Sequence, residues 1–273
     1  MAKGHDAVTR CDNCSGACYA PCTRGAVTLS APERIQPAFT GVEKYGVRSG
    51  MNIDAGVACG VVGLAAGVPA AGATLAASAE RGVRLTHGWW LGGGGSLVHV
   101  GTVAAATGVT AAAVGVRLGW SLALPAFVAS AVIGVVLAVI DMRQRRLPYV
   151  LTVPMYALCL ISFGAESILT GDYSPLVRSA LAGAATFAGF LLLALMFAGQ
   201  LGLGDVVLTG WLAMALGWLG WDRVALGLLT GLILQALVGA VSRARHRAGL
   251  RRTLPMGPAL VAGWLVGILV STS

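Results

Sequence analysis

Charge is scarce in this sequence. Only 11% of the residues are charged and only 11 of 273 are Asp or Glu, whereas 56% are hydrophobic. A soluble domain carries about 25% charged residues, so this composition excludes a soluble enzyme or binding module. Mean hydropathy is +0.79. The expected fold is therefore all-α, a polytopic transmembrane helix bundle. Histidine is nearly absent too, at four residues. None of the four lies among Cys11, Cys14, Cys18 and Cys22, and only Cys11 and Cys14 have the two-residue gap usual for a metal pair. The expectation is no metal site and no cofactor. Residues 1–50 have no apolar core of suitable length, so they do not read as a secretory signal.

The basic excess, a net charge of +8, does not point to nucleic acid, because the arginines fall in short loops between apolar runs. There they set orientation in a bilayer. The 39 glycines suit close helix packing in lipid.

Two parts are expected: a polar tail over residues 1–50, disordered or preceding the true start at Met51, and a membrane-embedded domain over 51–273. Mass spectrometry of the native N-terminus would decide between those two readings of the tail. About eight spans follow: Ala55–Ala79, Leu97–Val116, Leu122–Ile140, Tyr149–Leu169, Leu176–Ala198, Asp205–Trp221, Val224–Ser242 and Pro255–Val270. Trp89 and Trp90 read as an interfacial anchor. His99 and Cys159 read as packed residues within spans, and Asp222 with Arg223 as a local charge pair in a tight turn.

Alternation of eight spans puts the loops 80–96, 141–148, 199–204 and 243–253 on one face. That face carries ten arginines: 81, 84, 143, 145, 146, 243, 245, 247, 251 and 252. The loops opposite carry three, Arg117, Arg178 and Arg223. The excess marks the ten-arginine face as cytoplasmic.

Two of the few acids fall on that face. Asp141 closes the apolar run from Ala126 to Ile140, and Asp205 opens the run after Gly202-Leu203-Gly204. A carboxylate placed mid-span costs about 2.5–3.5 kcal/mol on insertion scales, so position near an interface matters. Plain structural readings exist for both. Asp205 would cap the helix after it, and Asp141 would pair with the arginines of a solvated loop. The chemical reading joins them. Two carboxyls at one site cannot both ionise easily, so one can act as general base on a water while the other donates to a carbonyl. Gly202 and Gly204 would let a peptide backbone approach.

Three motifs, in order and at span ends, resemble those of the type IV prepilin peptidases, membrane aspartyl proteases of the Gly-x-Gly-Asp kind. Asp141 is followed seven residues later by Pro148, Gly202–Asp205 resembles the second-aspartate motif, and Pro255-Met256-Gly257-Pro258 resembles the family's Pro-Phe-Gly-Pro segment. The resemblance implies catalytic Asp141 and Asp205, with Gly202, Gly204, Pro148, Pro255, Gly257 and Pro258 shaping the site. It implies a prepilin or pseudopilin substrate with a short basic leader, membrane lipids as surroundings, and no nucleic-acid partner. Tyr149, Val207 and Met256 depart from the family pattern, at positions bearing on substrate preference and on the level of activity. The short loop between the first two spans leaves no room for a methyltransferase domain, so cleavage without N-methylation is expected. The competing readings are a proton-coupled transporter and a catalytically silent scaffold. No chain of acids crosses the bilayer in the sequence, and Glu166 lies alone near the other face.

Overall fold

The computed structural model describes residues 52–77, 97–144, 149–196, 202–245 and 255–270. All fall within one compact unit, residues 38–273. The expectations for residues 1–50, for Trp89 and Trp90, and for Pro148 lie outside the described residues.

Eight helices carry the described chain: α1 Ile53–Ala77, α2 Leu97–Leu118, α3 Leu124–Gln144, α4 Tyr149–Thr170, α5 Ser174–Met196, α6 Leu203–Leu219, α7 Trp221–Arg245 and α8 Gly257–Leu269. Six have the length and apolarity to cross a membrane, and α6 and α8 are shorter apolar helices. The protein is a multi-pass helical membrane bundle. Each of the about eight expected spans corresponds to a helix, and these two are short. At 1.5 Å per residue the 13 residues of α8 rise only about 20 Å, less than the roughly 30 Å of a hydrocarbon core.

A short helix is tolerated because protein, not lipid, surrounds it. Helix α6 is buried from Val206 to Leu219, save half-buried Val207. It touches α3, α4, α5, α7 and α8. A helix apolar on every side and covered on every side is the centre of its bundle. A cluster of four rings, one of them its own Trp218, ties it to its neighbours. Phe127 of α3 lies 5.6 Å from Phe163 of α4, Phe163 stacks on Trp218 of α6 at 4.6 Å, and Phe127 stands 6.5 Å from Trp264 of α8. Such pairs add roughly 0.5–1.5 kcal/mol each beyond their burial.

Helices α1 and α2 pack through small residues. A Cβ added at Gly63 would stand 2.6 Å from the Thr107 carbonyl oxygen, and one at Gly67 would stand 2.4 Å from Ala104 Cα. The Thr107 hydroxyl donates across the seam to the Gly63 carbonyl at 2.9 Å. In lipid the drive to pair is van der Waals contact, which side chains at these glycines would abolish.

The side-chain bonds sort the loops into two ends. One end holds Thr74, His99, Asp141, Arg143, Asp205 and Gly257. At the other, all three arginines of the sparse face are occupied with helix C-termini. Arg178 donates to the Gly217 and Trp218 carbonyls of α6 at 2.7 and 2.8 Å. Arg223 and Arg117 donate to carbonyls at the end of α8, among them Gly267, Val270 and Leu269. Cations there satisfy orphan carbonyls and oppose the helix dipoles. The expected Asp222–Arg223 pair is present at 3.2 Å. Trp120, Tyr173 and Trp221 each stand exposed in or beside a turn at this end, as an aromatic belt requires. Glu166 accepts the Ala123 N–H at 2.6 Å. It caps the start of α3, a structural task rather than a step in a proton path.

Candidate active site

Asp141 lies within α3, which runs one turn beyond the expected end of the span at Ile140. Its residue exposure is 5%, so the reading of a solvated loop residue is corrected. The reason lies on α8, 116 residues away in sequence. The Gly257 backbone N–H donates to Asp141 Oδ2 at 2.7 Å. Gly257 is the first residue of α8 and Pro258 the second. Proline has no N–H to offer, so Gly257 supplies the donor of this first turn. The helix N-terminus also favours negative charge at this spot. A Cβ at Gly257 would stand 3.0 Å from Oδ2 and 3.2 Å from the Asp141 Cβ, so a side chain there would press on the carboxylate.

Asp205 sits in the first turn of α6. The N-cap is Gly202, in extended conformation and with no side-chain cap hydrogen bond. Asp205 is thus the third helical residue rather than the N-cap itself, and its carboxyl reaches back to the Gly202 N–H, so it caps the helix from within the first turn. Its backbone N–H bonds the Gly202 carbonyl at 3.0 Å. A Cβ on Gly202 would meet Asp205 Oδ2 at 3.3 Å, so the carboxyl folds back over the glycine. The buried Oδ1 makes no hydrogen bond among the described residues. Asp141 and Asp205 are close enough to act on each other electrostatically.

The neighbouring residues hold these two turns in register. Met256 packs against Val206 next to Asp205 and against the main core. Pro255 precedes it outside the helix, and Gly204 lies in the first turn of α6. The Tyr156 hydroxyl of α4 donates to the Val207 carbonyl of α6 at 2.7 Å. The sequence reading passed over Tyr156. The signal was available: a tyrosine inside an apolar span needs a partner for its hydroxyl. Tyr156→Phe is expected to cost about 0.5–1.5 kcal/mol, measurable as a lower midpoint of thermal unfolding in detergent. His99 and Cys159 are packed residues as read. His99 stands 3.0 Å from Thr74 Oγ1, and Cys159 is fully buried.

Residues 131–242 match the model of the type IV leader peptidase family. This segment belongs to that family. The leader peptidase segment contains both aspartates and the Gly202–Asp205 turn, and it ends before the Pro255 motif. Neither a curated protein nor a solved structure matches the chain. The leader peptidase match, with membrane-length helices around it, makes the protein a leader-peptidase-like membrane protease.

Proposed function

We propose that the protein cuts one peptide bond in a prepilin-like precursor at the cytoplasmic edge of the membrane, with Asp141 and Asp205 activating the water. The observation that carries this reading is the pairing of the two carboxyls at one end of the bundle from helices 64 residues apart in sequence, counted from 141 to 205. The Gly257 N–H holds Asp141 as an acceptor, which suits the general base. Asp205, whose Oδ1 has no protein partner among the described residues, is the group proposed to carry the proton. Water gives a proton to Asp141 and its oxygen bonds the scissile carbon, while Asp205 protonates the carbonyl oxygen. Collapse of the tetrahedral adduct breaks the C–N bond. The proton on Asp141 passes to the leaving nitrogen, and Asp205 recovers its own.

The substrate's apolar helix would remain in the bilayer and deliver the leader junction to the depth of the two carboxyls. A basic leader gains nothing from the ten-arginine face, so apolar contact and anionic headgroups would supply the docking. Cleavage without N-methylation remains part of the proposal. The test co-expresses a prepilin-like substrate with the full chain and follows loss of the leader by gel shift. A substrate that a known prepilin peptidase processes, left intact by this protein, would sink the reading. Cysteines placed at Gly171 and at Arg143 test the orientation. A membrane-impermeant thiol reagent applied outside intact cells should label position 171 and spare position 143.

A further inference from the structure

A cleft of about 350 Å³ opens between α2 and α3 at the Asp141 end of the bundle. Its lining is graded along the helix axes. At the mouth are His99, the third residue of α2, and Arg143, the last but one of α3. Deeper, a turn or more from the loops, are Val103, Ala106 and Val139. His99 Nδ1 lies 3.1 Å from Arg143 Nη2, and its Nε2 lies 3.0 Å from Thr74 Oγ1 of α1. The histidine is thus pinned between α1 and α3 and braces the guanidinium at the cleft mouth. Arg143 itself is exposed, and its planar fork keeps donors free for a phosphate.

An aliphatic wall below a cationic mouth, at the end of two membrane-length helices, matches one kind of molecule. We propose that this cleft binds a single anionic phospholipid, its phosphate on Arg143 and an acyl chain along Val103, Ala106 and Val139. Charge complementarity selects the occupant: the basic leader of a prepilin would be repelled by Arg143, whereas an anionic headgroup is drawn to it. The lipid would then lie against α3 beside Asp141 and form part of the wall that a substrate helix meets.

The test is native mass spectrometry of the full-length protein in detergent, titrated with phosphatidylglycerol or phosphatidylcholine. It involves no substrate, so its outcome is independent of the proposed cleavage. The wild type should hold one phosphatidylglycerol about fivefold more tightly than phosphatidylcholine, the value of one arginine near a headgroup. Arg143→Gln should abolish that preference. Ala106→Phe should lower retention of phosphatidylglycerol by filling the apolar wall while the arginine stays. Arg117→Gln, which removes a charge bonded at the opposite end of the bundle, should leave both unchanged. Equal retention of the two lipids by the wild type overturns the proposal. So does unchanged retention in Ala106→Phe, which would mean the headgroup binds outside the cleft. Equal losses in Arg143→Gln and Arg117→Gln would also overturn it, as a general charge effect.

Discussion

Asp141→Asn and Asp205→Asn should each lower the rate of leader removal by about 10²–10⁴-fold or more, the range that a positioned acid or base contributes. Neither change should unfold the protein. Asparagine has nearly the shape of aspartate, and its carbonyl oxygen can accept the Gly257 N–H that Asp141 Oδ2 takes at 2.7 Å. At position 205 the buried Oδ1 has no protein partner among the described residues to lose. The measurement is leader loss against time, paired with thermal unfolding of each purified variant. The double variant should be no slower than the worse single one, because two groups that act on one water are not additive. Rapid cleavage by either single variant would remove that residue from the chemistry. An inactive wild type with a competent substrate would favour the silent scaffold.

Gly263→Leu should disable the enzyme from the far side of α8. A Cβ at Gly263 would stand 2.4 Å from the Gly227 carbonyl oxygen and 2.5 Å from the Gly231 nitrogen. Both are backbone atoms of α7 and cannot turn aside, so the helices must separate. Overpacking of this kind costs about 1–3 kcal/mol. The functional loss should exceed what that destabilisation explains, because α8 also carries Gly257, about 9 Å along its axis. Displacing α8 withdraws the N–H from Asp141 and loosens Met256 from Val206. Cleavage should fall steeply while the variant still purifies as a folded protein with a lowered unfolding midpoint. Gly189→Ala is the control. Beyond its own helix backbone and chain neighbours, no described atom lies within 4 Å of a Cβ there, so rate and midpoint should both hold. Full activity in Gly263→Leu would mean that the Gly257 contact does not matter for the chemistry.

The membrane class, the number of helices and the two carboxyls were legible in the linear chain. Apolar length and the rarity of acids are one-dimensional properties. An Asp at the end of an apolar run is visible wherever the run is visible. The Asp222–Arg223 pair was legible for the same reason, since its partners are adjacent. The N-cap position read for Asp205 and the loop reading of Asp141 missed because both depend on where a helix ends. Asp141 is helical and buried because a helix 116 residues away offers it an N–H, and no local pattern records that.

By itself, then, the sequence determined that this chain is a bundle of apolar helices and which two acids stand at its span ends. Burial in lipid demands long runs without charge, and exceptions to such runs are conspicuous. Only the tertiary structure decided that α6 and α8 are short and enclosed and that three arginines cap helix ends. It also decided that Gly257 and Tyr156 hold the turns around the carboxyls. Each of these is a contact between segments far apart in the chain. Such contacts depend on how helices cross and which faces meet, and many local sequences are compatible with the same crossing.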